Sequence, residues 1–184
     1  RLLKASGFKI GKMPLLIIKL LEWGQPFLSL AAAELAYGAS KRLLQYEYAR
    51  KLGNGAYGSV FELKKRDDAN SIVALKHQLP PSLTELIKLE EEAKLQARMR
   101  SRFIVRCEAS WRVALHYLMI VELCPGGELG TWLKRQCDAG TLPDLWRLVA
   151  ECVEGLVHVH AALIMHRDLK LEASVLSPFP KSCL

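Results

Sequence analysis

The sequence contains no C-x-x-C pair, no histidine/cysteine cluster at metal-ligand spacing, and no lysine/arginine block long enough to form a nucleic-acid arm. These absences argue against a zinc module and against nucleic acid as a partner. Its five cysteines, Cys107, Cys124, Cys137, Cys152 and Cys183, are odd in number and suggest no disulfide framework. They point to a reduced, intracellular (cytoplasmic) setting. The apolar run Pro14 to Ile18 is soon interrupted by Lys19 and Glu22, so it is too short to cross a bilayer. Lys9 and Lys12 before it imitate the basic flank of a signal peptide, but unpaired cysteines fit a secreted protein poorly. No internal repeat or low-complexity tract occurs. Glycine and proline, 12 and 8 residues, are too few for a fibrous or disordered chain.

What is present is a globular composition. Of 184 residues, 51% are hydrophobic and 24% charged, enough for one domain with a sizeable core. The net charge of +7 comes from 26 basic and 19 acidic residues. Basic and acidic residues interleave, as in Lys64-Lys65-Arg66-Asp67-Asp68, so the excess reads as a solvated basic surface.

Residues 1–45 differ in character from the rest and form an N-terminal extension to which no chemistry can be assigned. Within it, Phe27 to Leu44 reads as an Ala-rich helix, with Leu28, Ala31, Leu35 and Ala39 near helical spacing. From Tyr46 the pattern becomes strand-like. Strands are expected at Tyr46–Leu52, Val60–Lys64, Ile72–His77, Val105–Val113 and His116–Leu123. A helix is expected from Ser82 to about Met99, opened by a Ser82/Glu85 capping box. Helices near Glu128–Gln136 and Asp144–Ala162 follow. The expected class is α+β, with five antiparallel strands and one helix preceding a mainly helical region.

Between the first two strands lies Gly53-Asn54-Gly55-Ala56-Tyr57-Gly58-Ser59-Val60. A G-x-G-x-x-G turn is shared with dinucleotide-binding folds, where it opens a helix. Here Ser59-Val60-Phe61-Glu62-Leu63 reads as a strand, so the glycines sit at a hairpin tip. A plain glycine-rich hairpin is the structural alternative. Glycines at such a tip let backbone N–H groups approach phosphate oxygens.

With Val73-Ala74-Leu75-Lys76 following, the sequence resembles the protein kinase family. The resemblance spans about Tyr46 to Leu176 and implies the following roles. Lys76 contacts the α- and β-phosphates of ATP. Glu92, chosen from Glu90-Glu91-Glu92 by its spacing to Ile104-Val105, holds that lysine from the helix. Leu118 to Leu129 is similar to the hinge, with Val121 as gatekeeper and the backbones of Glu122 and Cys124 facing adenine. Leu52, Gly53, Gly55, Gly58, Val60 and Ala74 lie over the nucleotide, and Val175 lies beneath it. His166-Arg167-Asp168-Leu169-Lys170 resembles the catalytic loop. Asp168 accepts the substrate hydroxyl proton, and Lys170 implies the serine/threonine branch. The G-x-Y-G-S-V turn, the E-L-C-x-G-G-E-L hinge and His158-Val159-His160 are similar to NIMA-related kinases.

Two departures stand beside this. The family's magnesium-binding Asn position is Ala173, and no D-F-G follows. The chain therefore reads as a kinase domain, residues 46–184, truncated before its principal metal ligand. ATP and a protein substrate are the implied partners. Magnesium is a family expectation whose ligands are absent or replaced. A fragment inactive on its own is expected, or alternatively a catalytically dead nucleotide-binding or scaffold protein. A stripe of Trp146, Val149, Val153 and Leu156 is expected to stand exposed and to be covered by a protein partner.

Overall fold

A computed structural model of the chain describes residues 42–55, 58–68, 70–113, 116–141, 143–171, 174–177 and 181–183. The expected helix before Leu44 lies outside the described residues, apart from its last few positions. Two compact units divide the chain: one up to Ala93 together with Ala109–Val121, the other Lys94–Glu108 together with Glu122 onward.

In the first unit the alternating apolar segments form a five-stranded sheet. Its strands are β1 (Tyr46–Gly55), β2 (Gly58–Lys65), β3 (Ile72–Gln78), β4 (Cys107–Val113) and β5 (His116–Glu122), in the order β1-β2-β3-β5-β4. β1, β2 and β3 pair antiparallel. The strands occur where the alternation places them, but several ends differ by two or three residues. β1 and β2 run on to Gly55 and from Gly58, because hairpin pairing continues the ladder into the glycines.

The period of two separates the sheet's faces. The register sets Phe61 opposite Leu75 and Leu63 opposite Val73 on one face, and Val60 opposite Lys76 and Glu62 opposite Ala74 on the other. The first face carries a core of Leu43, Tyr46, Phe61, Leu63, Val73, Leu75, Leu118 and Ile120. Each such side chain contributes about 1.5–3 kcal/mol on full burial.

Helix α1 (Leu83–Arg98) starts where Ser82 Oγ accepts from the Glu85 N–H at 3.2 Å. Only half of the expected capping box forms, because the Glu85 carboxylate turns to Lys88 Nζ at 2.7 Å. The helix buries Leu86 and Ala93.

In the second unit α2 (Leu129–Asp138) and α3 (Leu145–Ala161) accompany a small sheet of β6 (Gly127–Glu128), β7 (Val175–Ser177) and β8 (Lys181–Cys183). Strands of two or three residues leave no periodicity to read, and this sheet is absent from the sequence expectation. Asp144 caps α3, accepting from the Arg147 N–H at 3.0 Å. α3 buries Glu151, Gly155 and Val159. Trp146, Val149, Val153 and Val157 face outward, with Trp146 85% exposed. Leu156, expected in that outward stripe, is half-buried, and Val157 takes its place. The i, i+4 row of buried residues turns the helix by about one position from the expectation.

α3 ends in a Schellman arrangement: Ile164 N–H donates to Val159 O at 3.2 Å and Leu163 N–H to His160 O at 2.9 Å. The left-handed position is held by Leu163, with φ 58° and 95% exposure. Leu163→Gly removes the Cβ penalty and sacrifices almost no packing. It is expected to stabilise the protein by about 1 kcal/mol, read as a melting temperature higher by roughly 2–4 °C. An unchanged or lower melting temperature would contradict this geometry.

Candidate functional site

β1 and β2 meet in a hairpin, with Gly55 opposite Gly58 and Asn54 opposite Ser59. Ala56 and Tyr57 at its tip lie outside the described residues. A strand, not a helix, follows Gly58, so the dinucleotide-fold alternative is excluded. Gly58 has a packing reason to be glycine. A Cβ there would stand 1.9 Å from His77 O and 2.9 Å from Gln78 Cα. At Gly53 a Cβ would meet nothing within 4 Å, leaving space above the backbone. Ser59 Oγ donates to Asn54 Oδ1 at 3.1 Å, clipping the two strands just behind the tip. Leu52 is exposed at the β-bulge between Lys51 and Gly53.

Behind this turn, Val60 and Lys76 are cross-strand partners, and Ala74 lies two residues before Lys76 on the same face. Ala74 is buried, while Val60 and Lys76 are half-buried. Among the described residues the Lys76 ammonium makes no hydrogen bond or ion pair. A half-shielded ammonium without a partner favours an anion beside it. Glu92 is exposed and is not ion-paired with Lys76. Of the three consecutive glutamates, Glu90 finds a cation, Arg112 Nε at 3.4 Å. Close by on β1 and β2, the nearly buried Glu62 carboxylate accepts from Arg50 Nε at 2.9 Å and pairs with Nη2 at 2.8 Å.

On the opposite face of this sheet lies a pair that motif reading missed. His77 Nε2 and His116 Nδ1 are 2.8 Å apart, with ring centroids at 5.1 Å and planes within 10°. The nitrogen separation plus the two ring radii accounts for the whole centroid distance. The rings therefore meet edge to edge in nearly one plane and share a proton, rather than stacking. Burial, and then the charge of His116, push His77 down to about 4. Burial also lowers His116. Two histidines 39 residues apart on different strands leave no local signal.

In the second unit, Glu122 is fixed twice to one residue: its N–H donates to Arg106 O at 2.9 Å, and its carboxylate accepts from Arg106 N at 3.3 Å. Cys124 O accepts from Gly127 N–H at 3.2 Å, closing the Pro125-Gly126 turn. Gly126 packs so tightly on Leu176 that a Cβ would lie 2.4 Å from the leucine Cβ. β7 brings Val175 opposite Glu128, so the turn that follows Cys124 and the expected floor valine are joined by a two-residue ladder. Val121, in the first unit, is half-buried in β5, one residue before that strand's last residue, Glu122.

After α3 the chain makes an irregular loop. Arg167 adopts φ 61°, a left-handed position that costs a non-glycine residue about 1–2 kcal/mol. Asp168 N–H donates to His166 O at 2.9 Å, tightening the turn. His166 Nδ1 is buried without a partner. Asp168 and Lys170 are brought together, Nζ to Oδ2 at 2.7 Å, and both are exposed to solvent. A surface pair of this kind adds little stability; it leaves a carboxylate and an ammonium side by side and accessible.

Among the described residues no group of three or more His, Cys, Asp or Glu could hold a metal ion. Ala173 lies outside them and, as alanine, has no donor atom. The described residues do not fit a magnesium site. Also among them, no helix is long and apolar enough to cross a membrane.

Residues 46–177 match a family model described as a protein kinase domain. The chain is similar to a probable cell cycle serine/threonine-protein kinase, the CDC5 homolog of Encephalitozoon cuniculi, at 32% identity over 69% of this chain and 27% of that one. It is also similar to serine/threonine-protein kinase 10 of Xenopus tropicalis, at 28% identity over 71% of this chain and 15% of the relative. Similarity to serine/threonine-protein kinase hippo of Drosophila melanogaster is 26%, over 68% and 18%. The chain spans little more than a quarter, at most, of the length of these relatives.

Proposed function

Since the chain belongs to the protein kinase family, with serine/threonine kinases as relatives, we propose that it binds ATP. Leu52, Gly53, Gly55, Gly58, Val60, Ala74, Lys76 and Val121, all of the first unit, are the proposed contacts, to which the family resemblance adds Glu122, Cys124 and Val175. The observation that carries this reading is Lys76, half-buried beside Val60 and behind the glycine turn, its ammonium without a hydrogen bond or ion pair among the described residues. Bound phosphates would supply the missing negative charge. Glu92 is the proposed partner of Lys76 once nucleotide is present.

In the whole protein, the proposed activity is transfer of a phosphoryl group to a protein serine or threonine. Asp168 orients the hydroxyl and accepts its proton, and Lys170 offsets negative charge on the transferring group. The ion pair at 2.7 Å and its exposure support those roles, because a macromolecular substrate must reach both groups. Residues 1–184 by themselves are proposed to bind nucleotide without efficient transfer. Ala173 supports that, and equally supports a second reading, a kinase-like protein that binds nucleotide or a partner without catalysis. The finer placement near NIMA-related kinases rests on the glycine turn, hinge and His158-Val159-His160 motifs. An intracellular setting and a protein partner over the outward face of α3 complete the proposal.

The test is a thermal shift with ATP. At a hundredfold excess over Kd, binding stabilises by about 2.7 kcal/mol, roughly 5–10 °C for a chain of this size. Lys76→Met is expected to abolish the shift. A shift that survives the substitution overturns the assignment. Equal shifts with and without magnesium favour the non-catalytic reading, and a shift that requires magnesium favours the enzyme.

A further inference from the structure

Basic and acidic residues interleave along most of this chain, but one stretch departs from that pattern. Between Glu92 and Glu108 there is no acidic residue, while Lys94, Arg98, Arg100, Arg102 and Arg106 supply five of the 26 basic residues. The stretch runs from the end of α1 through the connection to β4, and from Lys94 onward it lies in the second unit. All five of these residues are exposed.

Elsewhere acids are at hand to pair the cations, as in Lys88–Glu85, Arg112–Glu90, Lys134–Asp138 and Arg147–Glu151. Arg106 reaches Glu108 at 3.0 Å. The cationic ends of Lys94, Arg98 and Arg100 make no hydrogen bond or ion pair among the described residues. Like charges gathered without acids repel one another, so a bound anion removes a cost as well as adding an attraction.

The backbone beneath these charges is fixed. Exposure alternates along it: Arg98, Arg100 and Arg102 are exposed, while Met99, Ser101 and Phe103 between them are half-buried. Ser101 Oγ accepts from the Phe103 N–H at 3.2 Å, and Ser101 O accepts from the Ile104 N–H at 3.3 Å. Gln96 Nε2 donates to Val105 O at 2.8 Å, tying the helix end to the approach to β4. The Arg102 guanidinium stands 4.6 Å from the centroid of the Phe103 ring. The arginines are thus presented from a pinned turn, and binding has only side chains to order.

We propose that this arginine turn is a docking site for an acidic, phosphorylated peptide segment of a partner protein. Four of its five cations are arginines, whose planar forks match the paired oxygens of carboxylate and phosphate. Met99, Phe103, Ile104 and Val105 are half-buried or buried, so no apolar residue of the turn stands out to enter a bilayer. The ring of Phe103 is half-buried beside Arg102, which leaves no open platform for stacked bases. Peptide carboxylates and phosphates need neither.

The test uses the full chain and a fluorescein-labelled peptide in which phosphoserine is flanked by aspartates and glutamates. Anisotropy is expected to show saturable binding. Arg98→Gln with Arg100→Gln is expected to weaken it about tenfold or more. Lys64→Gln with Arg66→Gln removes the same charge from two exposed residues in and just after β2, and is expected to change it by less than about twofold. Equal losses in the two variants, or no binding by the parent, overturn the proposal. So does tighter binding of an oligonucleotide, or of vesicles of phosphatidylserine and phosphatidylcholine, than of the peptide. A second measurement needs no variant. The peptide is expected to slow phenylglyoxal modification of Arg98 and Arg100, mapped by mass spectrometry, while Arg66 reacts as it does without peptide. Equal protection of Arg66 counts against the site.

Discussion

Gly58→Ala is expected to destabilise the protein by about 3 kcal/mol, lowering its melting temperature by roughly 10 °C. The new Cβ would stand 1.9 Å from the His77 carbonyl oxygen and 2.8 Å from its carbon, both backbone atoms of the neighbouring strand. Neither can swing aside as a flexible side chain would, so β2 and β3 must separate at the point where Ser59 pairs with His77 and Val60 with Lys76. The damage therefore reaches the proposed phosphate lysine as well as stability. Gly53→Ala is the control. Nothing lies within 4 Å of its added carbon, and a change of about 0.5 kcal/mol or less is expected. Equal denaturation midpoints for the two variants would show that β3 is not packed against Gly58.

Acid is expected to weaken the first unit through the histidine pair. His77 is held at about 4 in the folded chain, by burial first and by His116 second, against an ordinary value of 6.5. A folded value below the unfolded one means the unfolded chain takes up the proton more readily. The stabilising contribution is thus complete above pH 6.5 and is lost as pH falls toward 4. Between pH 7.5 and 4.5 the loss amounts to about 2.5 kcal/mol, and the lowered His116 adds to it in the same direction. The cross-strand neighbour on β2 is Ser59, which is uncharged, so no carboxylate from that strand offsets a second proton on the pair. His77→Gln is expected to flatten this segment of the pH–stability curve by about that amount. Parallel curves for parent and variant would rule out the pair as the cause. The measurement is chemical denaturation at fixed ionic strength across the range.

The sequence by itself determined the order of the parts: glycine turn, lysine strand, acidic helix, hinge and H-R-D loop. Each of these is a local pattern, written in consecutive residues or in a period of two or 3.6, and needs no distant contact to be recognised. The strand after Gly58 was legible for that reason; the ion pair between Asp168 and Lys170 was not among the expectations. What depended on distant residues was decided only by the tertiary structure. Three consecutive glutamates are locally equivalent, and it took Arg112, arriving on another strand, to engage Glu90 while Glu92 stayed exposed. The outward stripe of α3 shifted from Leu156 to Val157 because the buried row through Glu151, Gly155 and Val159 set the helix's rotation. The His77–His116 pair and the burial of Leu43 have no local signature, since proximity across strands arises only when the sheet is assembled. Spacing along the chain names the chemical groups available; packing decides which of them meet, because burial and pairing energies belong to contacts between residues far apart in sequence.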